Sequence, residues 1–253
     1  MGGENVSDLV DTMGTEMQTV SLSFYRFATP LSRLWALTMM GAARLSLPRI
    51  KGLEFWKLCG SGTGEGFTPV PNTAVYAILS VWTDEARARE AIASEALFQR
   101  YAQHASENWT VFLAPYSARG VWSGRTPFKE ETPDPTGPIA ALTRATVKPK
   151  VAAQFWKRVP DISGVIGEDP NVLFKIGIGE VPLLQQITFS IWPDSDTMAN
   201  FARKNGPHAK AIQAVRDGDW FREELYARFR VAGETGSWEG QSPRILKHED
   251  IAA

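Results

Sequence analysis

Histidine is the residue type in this sequence whose placement best suits cofactor chemistry. His208 follows Asn205-Gly206-Pro207, which can end one helix and begin another because glycine tolerates a positive φ and proline suits a first helical turn. In the helix predicted to follow, His208, Ala211, Ile212 and Val215 recur at i, i+3, i+4 and i+7 and share one face. A histidine that heads an apolar stripe can bind a metal or haem iron, or it can be a hydrogen-bonded core residue.

The other two histidines of the chain have simpler interpretations. His104 lies on the inward stripe of a predicted helix, where a hydrogen-bonded core histidine is the favoured role. His248 lies in a polar terminal segment and is interpreted as solvated. His208 is therefore the candidate metal ligand.

A haem bound at His208 would need space, apolar walls and cations for its propionates. The small side chain of Ala211 would leave room for the macrocycle beside the imidazole. The candidate walls are the aromatic residues Phe189, Trp192, Phe201 and Phe221. The candidate propionate partners are Arg203, Lys204 and Arg222, which could equally form a solvated face.

Several other chemistries lack support in the sequence. The glycines between Cys59 and Pro71 are followed by Phe-Thr-Pro rather than a helix, so they do not predict a phosphate-binding loop. The chain has no G-x-S-x-G or H-E-x-x-H motif and no P-loop lysine motif. Its one cysteine, Cys59, excludes multi-cysteine metal sites and an internal disulfide, and is interpreted as a buried thiol.

Composition limits the class of protein. The 253 residues are 43% hydrophobic with a net charge of −1, which predicts a globular protein and argues against nucleic acid as a partner. No apolar segment approaches the ~20 residues that span a bilayer, and there is no secretory signal, so a cytoplasmic location is expected. Residues 1–16 are interpreted as a polar extension, and residues 239–253 as a polar tail.

Hydrophobic periodicity predicts the same order of elements twice. Each half reads strand, helix, strand, strand, helix, strand, and the Pro-rich linker at 127–138 separates the two. The motifs Ile78-Leu79-Ser80-Val81-Trp82 and Thr188-Phe189-Ser190-Ile191-Trp192 match, as do segments that begin at Phe55 and at Leu173. The sequence therefore predicts an α+β fold in which two ferredoxin-like β-α-β-β-α-β repeats, at 17–126 and 139–238, form a dimeric-type α/β barrel.

The first predicted helix begins at Pro30 and ends at Pro48. The inward stripe predicted for it consists of Leu31, Leu34, Trp35, Thr38, Ala42 and Leu45.

Four long motifs resemble one known family. They are RLWALTMMGAARL from Arg33, FWKLCGSGTGEGFTP from Phe55, FKIGIGEVP from Phe174, and GPHAKAIQAVR with WFREELYARF from Gly206. Over about Met17 to Trp238 the chain is similar to spheroidene monooxygenase, the acyclic carotenoid 2-ketolase family of phototrophic bacteria.

The resemblance implies a haem b-containing oxygenase that uses O2 and reduced ferredoxin. Two hydroxylations at C-2 of spheroidene or a related acyclic carotenoid would give a geminal diol that loses water to form the ketone. The family motif GPHAKAIQAVR contains His208, which the resemblance implies is the proximal haem ligand. Catalytic residues beyond that ligand are not identified.

The resemblance also implies a peripheral position at the photosynthetic membrane, because a carotenoid must be drawn from the bilayer. Leu31, Trp35, Met39 and Met40 could make that contact, or their helix could face the core. Two alternatives to the ketolase stay open: a haem dehydratase or peroxidase on the same barrel, and a carotenoid- or haem-binding protein without turnover.

Overall fold

The computed structural model describes residues 17–64, 66, 68–130, 136–157, 169–203 and 219–245. The eight strands are β1 (Thr19–Arg26), β2 (Leu53–Gly62), β3 (Pro71–Trp82), β4 (Glu107–Gly120), β5 (Ile139–Val147), β6 (Phe174–Gly179), β7 (Gln185–Trp192) and β8 (Phe221–Gly236). The α-helices with both bounds assigned are α1 (Pro30–Ser46), α2 (Glu85–Ser94), α3 (Ala96–His104) and α4 (Ser195–Arg203). A short helical segment also occupies 149–157.

The strands form one closed antiparallel barrel in the order β1-β3-β2-β6-β7-β5-β8-β4. Each repeat contributes four neighbouring strands in the same internal order, β2-β3-β1-β4 and β6-β7-β5-β8. The predicted fold class, two ferredoxin-like repeats that close a dimeric-type barrel, is confirmed.

The two seams between the repeats differ greatly in length. Strands β4 and β8 pair from Trp109↔Gly236 to Gly120↔Leu225, whereas β2 and β6 pair only at Gly60↔Gly179 and Ser61↔Ile178. Within the described part of the chain, no other residue pair joins β2 to β6. The β2–β6 seam is therefore where the barrel wall is least continuous.

Alternate strand residues fill the barrel interior, as the two-residue period requires. An aromatic layer lies across this interior, with the Trp109 and Phe174 rings 4.8 Å apart and Phe24 packed 5.6 Å from Trp109. A separate core lies outside the barrel, between the first repeat's sheet and helices α1 to α3, and includes Tyr25 and Tyr76.

Helix α1 begins at Pro30, as the sequence predicts. Thr29, the residue before it, and Ser32 in the first turn form a capping box that fixes this end. Its predicted inward stripe is correct at Trp35, which packs against the core of the first repeat, and wrong at the other five positions, which are exposed. Leu31 is 80% exposed, Leu34 59% and Leu45 71%. The buried face instead runs through the small residues Ala36 and Ala43.

Two further predictions need correction. The spacing of Ile92, Leu97, Tyr101 and His104 predicts one helix after Asp84. The structure divides it at Glu95, whose extended backbone (φ −68°, ψ 131°) ends α2 and precedes α3. The match of Phe55 with Leu173 is one residue out of register, because Phe55 points into the barrel and so does Phe174. Since neighbouring strand residues face opposite sides, the correct match is Phe55 with Phe174.

Candidate functional site

A face of small side chains lies on the outer surface of the second repeat's sheet. Its residues are Ala141, Thr143 and Ala145 on β5, Thr188 on β7 and Gly177 on β6. We call these five positions the small-residue face. Gly177, Thr188 and Thr143 form one row across three strands, because Gly177 pairs with Thr188 and Thr143 pairs with Thr188.

The dimensions of this face follow from sheet geometry. Four residue steps from Ala141 to Ala145 span about 13 Å along the strand, and the three strands β6, β7 and β5 span about 10 Å across. A flat ligand the size of a macrocycle can therefore lie on it.

The first repeat has small side chains, Ser21 and Ser23, at the positions equivalent to Ala141 and Thr143, but larger ones at the other three positions of this face. The strand registers equate Leu58 with Gly177, Ile78 with Thr188, Tyr25 with Ala145 and Tyr76 with Gln186. All four large residues are buried against α1, α2 and α3. In the second repeat Thr143 is exposed and Thr188 is half-buried. At these four positions the second repeat therefore has shorter side chains than the first, although Ala145 and Gly177 are themselves buried.

Aromatic clusters lie at both ends of the small-residue face. At one end the rings of Trp192 and Phe201 are 5.0 Å apart, beside Met198 of α4. At the other end the ring of Phe221 lies 5.8 Å from that of Phe155. Trp192 and Phe201, two of the four residues predicted to form the walls of the site, are therefore in contact. Phe221, a third, lies at the opposite end of the same face.

Helix α4 is held in this position by its first turn. Asp194 accepts a hydrogen bond from the backbone N–H of Thr197 over 2.7 Å, as an N-cap residue does. This bond, with further bonds from Thr197 and Asp196, lowers the pKa of the Asp194 carboxyl.

The remaining predicted site residues lie elsewhere. Phe189 points into the barrel, 6.1 Å from the Phe24 ring, so the sheet separates it from Trp192 and Phe201. Arg222 is exposed near the start of β8. The following lie outside the described residues: Lys204, His208, Ala211, Ile212, Val215 and the side chain of Arg203.

Two residues beside the face were missed by the sequence argument. Arg228 is exposed and pairs with Ala141, and Tyr226 pairs with Thr143 with its hydroxyl 3.5 Å from the Glu224 carboxylate. The sequence did contain a signal for the face that they flank, namely the alternation in ALTRA from Ala141, where the outward positions are Ala, Thr and Ala.

A charged cluster inside the barrel was also missed. Arg144 is 1% exposed, and its guanidinium lies 2.6 Å from Glu223 and 3.9 Å from Glu180. Glu180 also pairs with Lys57 over 2.8 Å and accepts a hydrogen bond from the Trp122 indole over 2.6 Å. The two basic and two acidic side chains neutralise one another, so the cluster has no net charge and does not form an anion-binding site.

Cys59 lies beside this cluster and is fully buried. Burial raises the pKa of its thiol strongly, and the charge of Glu180 adds to that effect. The thiol is therefore protonated and poorly suited to act as a nucleophile or a metal ligand. No group of three or more His, Cys, Asp or Glu within the described ranges could hold a metal ion.

Two cavities flank the short β2–β6 seam. One of about 310 Å³ is lined by residues that include Gly66, Phe174 and Trp238. The other, about 440 Å³, is lined by residues that include Trp56 and Glu180. Both lie at the small end of the range for organic ligands and open to solvent. Neither encloses enough space for a long polyene.

Solved structures with the same architecture define the class of the fold. An aldoxime dehydratase aligns with a TM-score of 0.60 over 88% of this chain and 85% of its own, at 9% identity. An aldoxime dehydratase in complex with butyraldoxime aligns with a TM-score of 0.58 over 86% and 80%, at 10% identity. These likenesses show the fold, a barrel of fused α+β repeats, and nothing of the reaction. No protein-family model matches the chain.

Sequence relatives identify the family. The chain is 52% identical to spheroidene monooxygenase of Cereibacter sphaeroides, over 90% of this chain and 71% of the relative. It is 50% identical to that of Rhodobacter capsulatus, over 92% and 99%, and 34% identical to that of Rubrivivax gelatinosus, over 84% and 82%. The chain belongs to the spheroidene monooxygenase family and is an oxidoreductase of the monooxygenase class.

Proposed function

We propose that this protein converts acyclic carotenoids of the spheroidene type into 2-keto carotenoids, with haem b as cofactor and reduced ferredoxin as electron donor. The observation that carries the proposal is the identity of 50% over 92% of this chain and 99% of the Rhodobacter capsulatus relative. Such extended identity favours a shared substrate class.

The proposed reaction proceeds in two oxygenations and a dehydration. Each oxygenation inserts one atom of O2 into a C–H bond at C-2, while two electrons and two protons reduce the other atom to water. The first gives an alcohol and the second a geminal diol. The diol loses water to form the ketone, so two O2 and four electrons are consumed per product.

The small-residue face supports a haem position on the second repeat. The second repeat has shorter side chains at the positions where the first has Leu58, Ile78, Tyr25 and Tyr76. His208, which the sequence places on an apolar helical stripe, would be the proximal ligand, with Ala211, Ile212 and Val215 beside it. Haem would supply the activation of O2.

The chain's own residues would bind and enclose this cofactor. Trp192 and Phe201 at one end and Phe221 at the other would exclude water from its edges. Its propionates need cations, for which Arg203, Lys204 and Arg222 are the sequence candidates, and the structure adds the exposed Arg228. Phe189 has no part in this arrangement because it lies inside the barrel.

The cofactor proposal is tested by the absorption spectrum of protein from haem-replete cells. We expect a Soret band that is lost or shifted in His208→Ala. His104→Gln is the matched control, because His104 lies in the first repeat, stacked 3.9 Å from the Trp35 ring. A parent protein without haem, or an unchanged band in His208→Ala, would contradict the assignment.

The reaction is tested by assaying spheroidene turnover with and without O2 and reduced ferredoxin. We expect the 2-ketone only when both are present, with the mono-hydroxylated carotenoid appearing first. Product formed without O2 or reductant would indicate a dehydratase or peroxidase instead. Stoichiometric carotenoid binding without any product would indicate a binding protein.

The substrate also places the protein at a membrane. A carotenoid dissolves in the bilayer core, so the enzyme must meet it at the bilayer surface. Within the described part of the chain, no helix has both the length and the apolar character to cross a membrane. We therefore propose peripheral contact at the photosynthetic membrane.

A further inference from the structure

Helix α1 carries a stripe of leucines that no described part of the protein covers. Leu31 is 80% exposed, Leu34 59%, Leu37 58% and Leu45 71%. Helical spacing places all four on one side, together with the exposed residues Thr38, Gly41 and Ala42. We call Leu31, Leu34, Leu37 and Leu45 the leucine face.

The leucine face cannot turn inward, because the opposite side of α1 is tightly packed. Ala36 and Ala43 are buried, which brings the helix backbone close to the sheet. The Trp35 ring stacks on that of His104 with centroids 3.9 Å apart and planes 4° from parallel. The outward direction of the leucines is thus fixed by the fold.

The segment of the chain that contains α1 carries charge of a single sign. Between Phe27 and Leu53 there is no aspartate or glutamate, while Arg33, Arg44, Arg49 and Lys51 give four positive charges. Among the described residues, none of these four cations forms an ion pair with a carboxylate. Arg33 and Arg44 instead donate to backbone carbonyls of Phe27 and Met40. The whole chain, in contrast, has a net charge of −1.

From this combination we propose that α1 docks the protein on an anionic lipid bilayer, with the leucine face inserted among the acyl chains and the basic residues at the phosphates. An apolar face beside basic residues is the pattern of helices that lie in the membrane interface. Because the opposite side of α1 packs on the protein along its 17 residues, about 26 Å, the helix would lie in the membrane plane. A second copy of the chain is the poorer partner, because a symmetric α1–α1 contact would bring like charges together.

The inference deepens the proposed function, since it names the surface through which the enzyme would reach a carotenoid in the bilayer. Of the residues suggested by sequence, it keeps Leu31 and replaces Trp35, Met39 and Met40 with Leu34, Leu37 and Leu45. Trp35 and Met40 are half-buried against the core of the first repeat. Their replacement would therefore disturb packing rather than test membrane binding.

Vesicle flotation tests the inference directly. The full chain would be floated with vesicles of phosphatidylcholine and phosphatidylglycerol in equal amounts, and with phosphatidylcholine alone. We expect binding to the anionic vesicles that weakens as salt is raised. Leu34→Gln/Leu45→Gln should lower the partition coefficient at least about tenfold, and Arg44→Gln/Arg49→Gln by about tenfold or more. Glutamine preserves helix propensity in the leucine variant.

The matched control replaces exposed apolar residues away from α1. Val70 is 57% exposed and Val181 42%, and Val70→Gln/Val181→Gln should float as well as the parent. Absence of parent binding to anionic vesicles, or equal binding by the leucine variant, would overturn the inference. So would a parent that is dimeric in sedimentation and becomes monomeric in the leucine variant, with no vesicle binding by either.

A detergent assay separates this inference from the proposed function. With spheroidene supplied in micelles, the leucine variant should turn over as the parent does, because its replacements lie far from the small-residue face. Turnover in micelles without vesicle binding by the parent would reject the docking surface and retain the enzyme. Vesicle binding by the parent without turnover in micelles would retain the docking surface and reject the proposed enzyme activity.

Discussion

Arg144 of β5 and Glu223 of β8 form an ion pair with 2.6 Å between guanidinium nitrogen and carboxylate oxygen. Glu223 also accepts hydrogen bonds from the backbone N–H groups of Ser123 and Gly124, over 3.0 Å and 2.9 Å. One carboxylate thus joins β5, β8 and the turn that follows β4. Since Arg144 is almost completely buried, Glu223 supplies the closest compensation for its charge.

Removing this carboxylate should destabilise the fold. We expect Glu223→Gln to lower the free energy of unfolding by about 1–3 kcal/mol, because it leaves a buried guanidinium with a weaker partner. Glu224→Gln is the control, because the Glu224 carboxylate lies 3.5 Å from the Tyr226 hydroxyl and forms no ion pair with a described residue, and we expect a change within about 0.5 kcal/mol. Urea denaturation measures both, and equal effects of the two substitutions would contradict the role of the pair.

The same pair predicts a pH dependence. Burial alone would raise the pKa of Glu223, but hydrogen bonds from Arg144, Gly124 and Ser123 outweigh it and lower the pKa below the ordinary 4.5. The contribution to stability is therefore complete above pH 4.5 and is lost as pH falls through the lowered value. The stability difference between parent and Glu223→Gln should shrink in that acidic range, and a difference that grows on acidification would contradict this sign.

The orientation of α1 gives a second stability prediction. Trp35 packs 5.2 Å from Tyr101 and stacks on His104, so Trp35→Ala should lower the free energy of unfolding by about 2–4 kcal/mol. Leu31→Ala, at the most exposed leucine of the same helix, should change it by less than about 0.5 kcal/mol. Thermal or urea unfolding decides, and a larger loss for Leu31→Ala would mean that α1 is rotated.

The α1 error shows what periodicity could and could not predict. Leucine spacing correctly indicates an amphipathic helix, but it does not say which face is inward. Here the inward face is built from Ala36 and Ala43, because small residues let the backbone approach the sheet, and the leucines face outward. Period-two alternation was more reliable in the strands, since Ile187 and Ile191 do point into the barrel as their spacing predicts.

The candidate site was predictable in part for similar reasons. The proximity of Trp192 and Phe201 was predictable because Trp192 ends β7 and Phe201 lies on the helix that follows it. It could not show that Phe189 lies on the opposite side of the sheet from the site, since a site face cannot be chosen from one strand alone. The small-residue face depends on three strands brought together by the barrel, so its residues carry no contiguous motif.

Cys59 offers a test of the barrel interior that needs no substitution. Burial and the nearby Glu180 raise the pKa of its thiol, and Cys59 is the one cysteine of the chain. We expect no reaction with a disulfide reagent at neutral pH in the folded protein, and one thiol per chain after denaturation. Rapid labelling of the folded protein would show instead that the β2 side of the barrel opens to solvent.

The small-residue face gives the sharpest test of where haem binds. Ala145→Tyr/Thr188→Ile places on the second repeat the residues that the first repeat has at the equivalent positions, Tyr25 and Ile78. We expect haem affinity, measured by haemin titration, to fall at least about tenfold because the new side chains occupy the proposed space. Unfolding curves should show that the fold is retained.

Ser117→Tyr, at an exposed position of β4, controls for the added aromatic bulk and should bind haem as the parent does. The double variant separates the face from the ligand, because it leaves His208 in place while removing the room beside the sheet. Haem binding within about twofold of the parent, in a folded double variant, would mean that the cofactor lies elsewhere in the protein, since a filled face leaves no space for a macrocycle against β5 and β7.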